Sequence, residues 1–170
     1  MFRAVVALFA LTVSANAQAA SDNWNVTKND GWCTLLTSFE DKTVLGITLN
    51  WRTDRIGLYF LNENWKSLSS RASKTVNMHI QMSGNVEYDE WFDDKADIAE
   101  GELPGFNTSF AKEHKEDFLA SWALANAFTL RADDINLGLF TLRGSKDGIL
   151  SLAQCANRGL RTDRSDPFAE

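Results

Sequence analysis

Apolar and polar residues alternate with period two along several stretches of the chain. Cys33, Leu35, Thr37 and Phe39 share one face of a first such segment, and Leu45, Ile47, Leu49 and Trp51 share a face of the next. Asp54 interrupts the pattern, and Ile56, Leu58 and Phe60 resume it. Val76, Met78, Ile80 and Met82 form a fourth stripe, with Thr75, Asn77, His79 and Gln81 facing the other way. Successive side chains of a strand point to opposite faces, so this alternation predicts half-buried antiparallel strands. Thr53-Asp54 separates two of them, and Ser83-Gly84-Asn85 precedes a further segment from Val86 to Phe92. Short polar connections of this kind predict hairpins and a meander rather than parallel crossovers.

The period changes in the second half. From Ser109 to about Ala127, Phe118, Leu119, Trp122 and Ala125 fall at helical spacing, with Lys112, Glu113, Lys115 and Glu116 on the other face and Ser109 as the expected N-cap. Phe128–Arg131 and Ile135–Leu142 read as two more strands around an Ala132-Asp133-Asp134 turn. Gly144-Ser145 opens a closing helix with Ser145 as N-cap, Asp147 in the first turn, and Ile149, Leu152, Ala153 and Ala156 as its buried stripe. The fold expected is α+β: a curved antiparallel sheet of about seven strands in a meander, with two packed helices.

Residues 1–19 stand apart from that pattern. Met1-Phe2-Arg3 is a short positive start, Ala4 to Val13 is apolar, and small residues follow, with cleavage expected after Ala17 or Ala19. This is the layout of a secretory signal peptide, and its apolar run is well short of the ~20 residues of a membrane span. Residues 20–158 are then one α+β domain, and 159–170, rich in Arg and Asp, a flexible tail. No later stretch is expected to span a bilayer. The protein is accordingly expected in the periplasm or secreted.

Export changes the meaning of the two cysteines. Cys33 and Cys155 lie far apart with no second ligand at metal-site spacing, so in an oxidising compartment they are expected to form one disulfide. Such a bridge would pin the closing helix to the opening strand.

Charge is concentrated in one place. Glu87 to Glu102 holds eight acidic residues against Lys95 alone, and with Arg3 removed the rest of the chain balances 15 acids against 15 bases. Three readings compete for this segment. It is a solvated strand end and loop that aids solubility; or a patch that docks a basic protein partner through Glu87, Tyr88, Asp89, Glu90, Trp91, Phe92, Asp93, Asp94 and Asp97; or a calcium site from Asp89, Asp93, Asp94 and Asp97. The last lacks the spacing and glycine of an EF-hand loop, and neither a metal nor any other cofactor is expected.

Few residues point to catalysis. His79 lies on an outward polar face and His114 on the charged face of the expected long helix, and neither has a nucleophile nearby in sequence. No nucleophile elbow, zinc-protease helix, phosphate loop or dinucleotide fingerprint occurs. Nucleic acid is disfavoured by a pI near 4.9 and scattered basic residues. Trp51 and Trp122 are expected in the core, while Trp24, Trp32, Trp65 and Trp91 lie near element ends. The chain reads as a non-catalytic interaction protein whose acidic, aromatic-containing segment binds another protein. A small-ligand or cation binder using the concave side of the sheet, and a hydrolase assembled from dispersed residues, are the alternatives.

Overall fold

A computed structural model describes residues 18, 23–84, 91–99, 101–110 and 115–165. Among them, nine strands form one antiparallel sheet that does not close: β1 (Asn25–Asn29), β2 (Trp32–Ser38), β3 (Val44–Asn50), β4 (Arg55–Leu61), β5 (Thr75–Gly84), β6 (Trp91–Ile98), β7 (Gly105–Phe110), β8 (Ala125–Ala132) and β9 (Ile135–Thr141). Two helices, α1 (Lys115–Leu124) and α2 (Ser145–Ser165), complete the α+β architecture. No helix of the described residues is long and apolar enough to cross a membrane.

The sheet order is β1-β2-β3-β4-β7-β6-β5-β8-β9, which corrects the expected seven-strand meander. β1 to β4 do pair consecutively. After β4, residues 62–74, with a 3-10 turn at Lys66–Ser70, carry the chain past two places in the sheet. β5, β6 and β7 then return toward β4, so β7 becomes the neighbour of β4. The connection containing α1 crosses back, and β8 pairs with the free side of β5. Consecutive hairpins are locally encoded, whereas both crossings depend on which sheet edge remains open.

Two strands escaped the alternation rule, and β6 runs on to Ile98 where the expected segment ended at Phe92, residues 86–90 of that segment lying outside the described residues. β1 is polar and exposed along most of its length, as an edge strand often is. In β7 the inward positions are Phe106, Thr108 and Phe110, and the central threonine hides the apolar stripe. The helix expected from Ser109 is therefore shorter. Ser109 belongs to β7, and Ala125 starts β8 directly after α1. Ala123, Ala125 and Ala127 suit a helix intrinsically, but pairing with Ser83 and Gly84 claims the last two for the sheet.

The inward faces meet α1 and α2 in one core. Trp122, Phe60, Phe106, Phe128 and Phe140 are fully buried, each contributing about 1.5–3 kcal/mol of burial. Phe128 is the hub: its ring lies 4.9 Å from Trp122, 5.0 Å from Phe140, 5.9 Å from Phe60 and 6.0 Å from Phe39. Phe39 follows β2 yet also meets Phe140 of β9 at 4.8 Å, so residues near opposite ends of the strand order share one cluster.

The Cys33–Cys155 disulfide joins β2 to α2 across 122 residues, with the Cα atoms 6.1 Å apart. α2 lies over β1, β2 and β3, and its two glycines are points of close approach. Gly148 faces Leu35 and Trp24, and Gly159 faces the Trp51 ring, where a Cβ would fall 2.6 Å from ring atoms. Trp51, expected in the core, is half-buried at this contact. Ser145 does not cap α2 with its side chain; its hydroxyl donates to the Trp122 carbonyl at 2.8 Å and ties the two helices together. α2 continues to Ser165, so residues 159–165, expected in the tail, are helical.

Candidate functional site

The acidic segment supplies a strand of the sheet interior as well as surface charge. β6 lies between β5 and β7, and its alternation sends neighbouring acids to opposite faces. Asp93 faces outward opposite His79, and Asp97 outward between Thr75 and Asn107. Asp94 faces inward opposite Met78, where it accepts a hydrogen bond from the Thr108 hydroxyl at 2.5 Å. Asp93 and Asp94 therefore do not form one patch, and the four-aspartate cation set is divided between faces. Trp91 and Phe92 lie on β6 by backbone, while Glu87, Tyr88, Asp89 and Glu90 lie outside the described residues, as does His114.

His79 and Asp93 form a cross-strand pair with Nδ1 and Oδ1 2.6 Å apart. They share a shallow hollow of about 430 Å³ with Asn77, Asp94 and Lys95. The Asp93 carboxylate fixes the orientation of the imidazole ring through this contact. On that outward face the Asn77 amide, the Asp93 carboxylate and the Lys95 ammonium surround it, so among the described lining residues no hydroxyl or thiol nucleophile accompanies the imidazole. The arrangement can hydrogen-bond a polar group, and the described residues of the hollow do not include the hydroxyl or thiol that covalent hydrolysis pairs with a base.

A larger concavity opens beside it, on the outer face of β2, β3, β4 and β7. This groove of about 650 Å³ is lined by Trp32, Tyr59, Leu61, Leu103, Asn107 and Ser109, among others. Its floor depends on two glycines at outward positions of adjacent strands. Gly46 pairs directly with Tyr59, whose ring covers the space a Gly46 side chain would need. Gly57 pairs with Thr48, whose hydroxyl stands 2.3 Å from where a Gly57 Cβ would lie. Covering backbone with a ring leaves the Tyr59 phenol half-buried, and desolvation raises its pKa above the usual tyrosine range. Arg55 closes one end of this face by donating to the Ser109 carbonyl at 2.9 Å and to its hydroxyl at 2.7 Å.

The acidic segment and the groove meet. Ala99, Gly101, Glu102 and Leu103, which follow β6, form one wall, and Leu103 is 44% exposed there. Asp97 pairs with Asn107 at the same margin. The structure thus brings the end of the acidic segment against an aromatic and aliphatic surface contributed by earlier strands.

Sequence reasoning missed that surface. Trp32 was expected only as a residue at an element end, and Tyr59 and Leu61 were not singled out. A signal was present in Gly46 and Gly57, each an outward position in an otherwise regular strand, where a glycine marks close approach. Recognising their partners required the β3–β4 register. Comparison with protein-family models, curated proteins and solved structures finds no match to this chain.

Proposed function

We propose that this is an exported, non-catalytic interaction protein that binds a basic protein partner across the outer face of its sheet. The observation that carries this reading is the meeting of the apolar groove with the acidic segment. Trp32, Tyr59, Leu61 and Leu103 supply an anchor surface, Glu102 lines it, Asp97 pairs with its Asn107, and Asp93 carries the same outward charge further along β6. Aromatic anchors with a charged rim are the usual division of labour at interfaces: the centre gives affinity and the rim steers encounter. Three of the four residues Glu87 to Glu90, in the same segment of sequence, are also acidic. The N-terminal pattern and the disulfide both accord with an oxidising compartment outside the cytoplasm.

The test is capture of partners from envelope extracts with the intact protein and two variants. Asp93→Lys with Asp97→Lys reverses outward charge without touching the inward Asp94–Thr108 bond. Tyr59→Ala removes the anchor. A genuine partner is lost with either variant, and its binding to the unaltered protein weakens as salt rises. A partner list unchanged by both variants overturns the proposal.

A further inference from the structure

On the opposite side of the β1–β4 half, α2 and β1 enclose a hollow of about 490 Å³ lined by Val26, Lys28, Ser151, Cys155, Arg158 and Thr162. The four α2 residues recur at spacings of four, three and four, which places them on one helix face. Val26 and Lys28 lie on the same side of β1, paired with Leu35 and Cys33 of β2. Lys28 and Cys155 therefore both converge on the disulfide, Lys28 through its pairing with Cys33 and Cys155 directly.

Both cations of the hollow are held in place by groups other than carboxylates among the described residues. The Lys28 ammonium stands 5.0 Å from the centroid of the Trp51 ring, and that ring is seated against Gly159 of α2. The Arg158 Nε donates to the Gln154 carbonyl at 3.3 Å, leaving the two terminal nitrogens of the guanidinium for another acceptor. Among the described residues, neither cation meets a carboxylate, whereas Lys42, Arg52 and Arg71 pair with Glu63, Asp30 and Asp133. Two like charges on facing walls of one hollow repel, and an anion between them converts that repulsion into attraction. The contrast is sharper in a chain whose net charge is −6.

We infer that this hollow binds a small molecule bearing an oxyanion, a carboxylate or a phosphate, between Lys28 and Arg158. The Ser151 hydroxyl is a neutral donor at its side, and Thr162, whose hydroxyl donates to the Arg158 carbonyl at 3.0 Å, closes the far end of that helix face. Val26 and the disulfide provide the apolar wall. The site shares no residue with the outer-face groove, so either proposal stands or falls without the other.

The test is an NMR titration of the disulfide-bonded protein with inorganic phosphate and, separately, with succinate, against sodium chloride at matched ionic strength. Saturable shifts of the Val26 methyl and Arg158 Nε–H signals are expected. Saturation by phosphate alone, by succinate alone or by both assigns the oxyanion class. Lys28→Gln and Arg158→Gln should each weaken binding about tenfold, the usual effect of losing a charge-assisted hydrogen bond. Both side chains are exposed, so the dispersed spectrum of the folded protein should persist in the variants. Shifts that track sodium chloride without saturating, or saturation unaltered in both variants, overturn the inference.

Discussion

The ring of Tyr59 lies over Gly46, its directly paired neighbour, so closely that a Cβ on Gly46 would stand 1.9 Å from Tyr59 Cζ. The aromatic ring takes the place of the missing side chain and sets the floor of the outer-face groove. Gly46→Ala should displace the ring and cost about 1–3 kcal/mol, the usual penalty of overpacking a close contact. Urea denaturation checks this. In a double-mutant cycle with Tyr59→Ala the penalty should largely vanish, because the clashing ring is gone. Additive effects would show that the two residues do not interact in this way.

Gly159 invites the opposite of the ordinary helix rule. In an exposed helix interior, Gly→Ala stabilises by about 0.5–1 kcal/mol. In α2 the new methyl would meet the Trp51 ring at 2.6 Å, so Gly159→Ala should destabilise by about 1–3 kcal/mol. Gly159→Ala combined with Trp51→Ala should recover part of that loss. A stabilised single variant would place Trp51 elsewhere.

Asp133 links three elements and gives stability a dependence on acid. It sits in the β8–β9 turn at φ +51, where its Oδ1 accepts the Asn77 backbone N–H at 2.9 Å and its Oδ2 accepts from Arg71 at 2.6 Å. The backbone hydrogen bond from Asn77, with the Arg71 guanidinium adding to it, holds the carboxyl below the usual aspartate range. A group whose folded-state pKa is depressed contributes its stability above the unfolded value, near 3.9, and loses it as pH falls through the folded value. Asp133→Asn keeps a residue type that tolerates positive φ, isolating the charge. It should cost about 1–2 kcal/mol at pH 7, and the cost should shrink below about pH 4. Thermal melts across pH 2–7 measure this, and a pH-independent difference would contradict it.

Cys33 and Cys155 close a loop of 122 residues, for which the chain-entropy relation gives roughly 4–5 kcal/mol. The Cys33→Ser, Cys155→Ser double variant should lose stability of that order in denaturant unfolding. The protein recovered from the cell envelope should show no alkylatable thiol under non-reducing conditions. Two reactive thiols in native material would contradict the bridge.

If the chain is exported as proposed, Gln18 bears on where its signal peptide is cut. Its N–H donates to the Leu139 carbonyl at 2.6 Å and its carbonyl accepts from Thr141 at 2.8 Å, so it pairs with the outer edge of β9. Cleavage after Ala17 keeps this pairing, whereas cleavage after Ala19 removes it. Mass spectrometry of the exported protein should find an N-terminal peptide starting at Gln18; one starting at Ala20 would show that the β9 edge forgoes the contact.

What was legible in the sequence follows from locality. Period-two alternation located β2, β3, β4 and β5 because each presents its own apolar stripe, and the closing helix was visible in the spacing of Ile149, Leu152 and Ala156. β7 was lost because Thr108 breaks its stripe, and that threonine makes sense only beside Asp94, fourteen residues away. The disulfide was expected from two cysteines and the export pattern read at the N-terminus. The acidic segment was conspicuous as composition, but the division of Asp93 from Asp94 comes from the strand it forms.

The chain alone therefore determined β2 to β5, the closing helix, their buried stripes and the pairing of its cysteines, because these depend on neighbours within a few residues or on simple count. Tertiary structure decided the strand order after β4, the end of α1 and the composition of the groove. Those depend on which sheet edge was open, on what faced Gly46 and Gly57, and on the return of the acidic strand beside β7. Each joins residues distant in sequence, and no local period records their meeting.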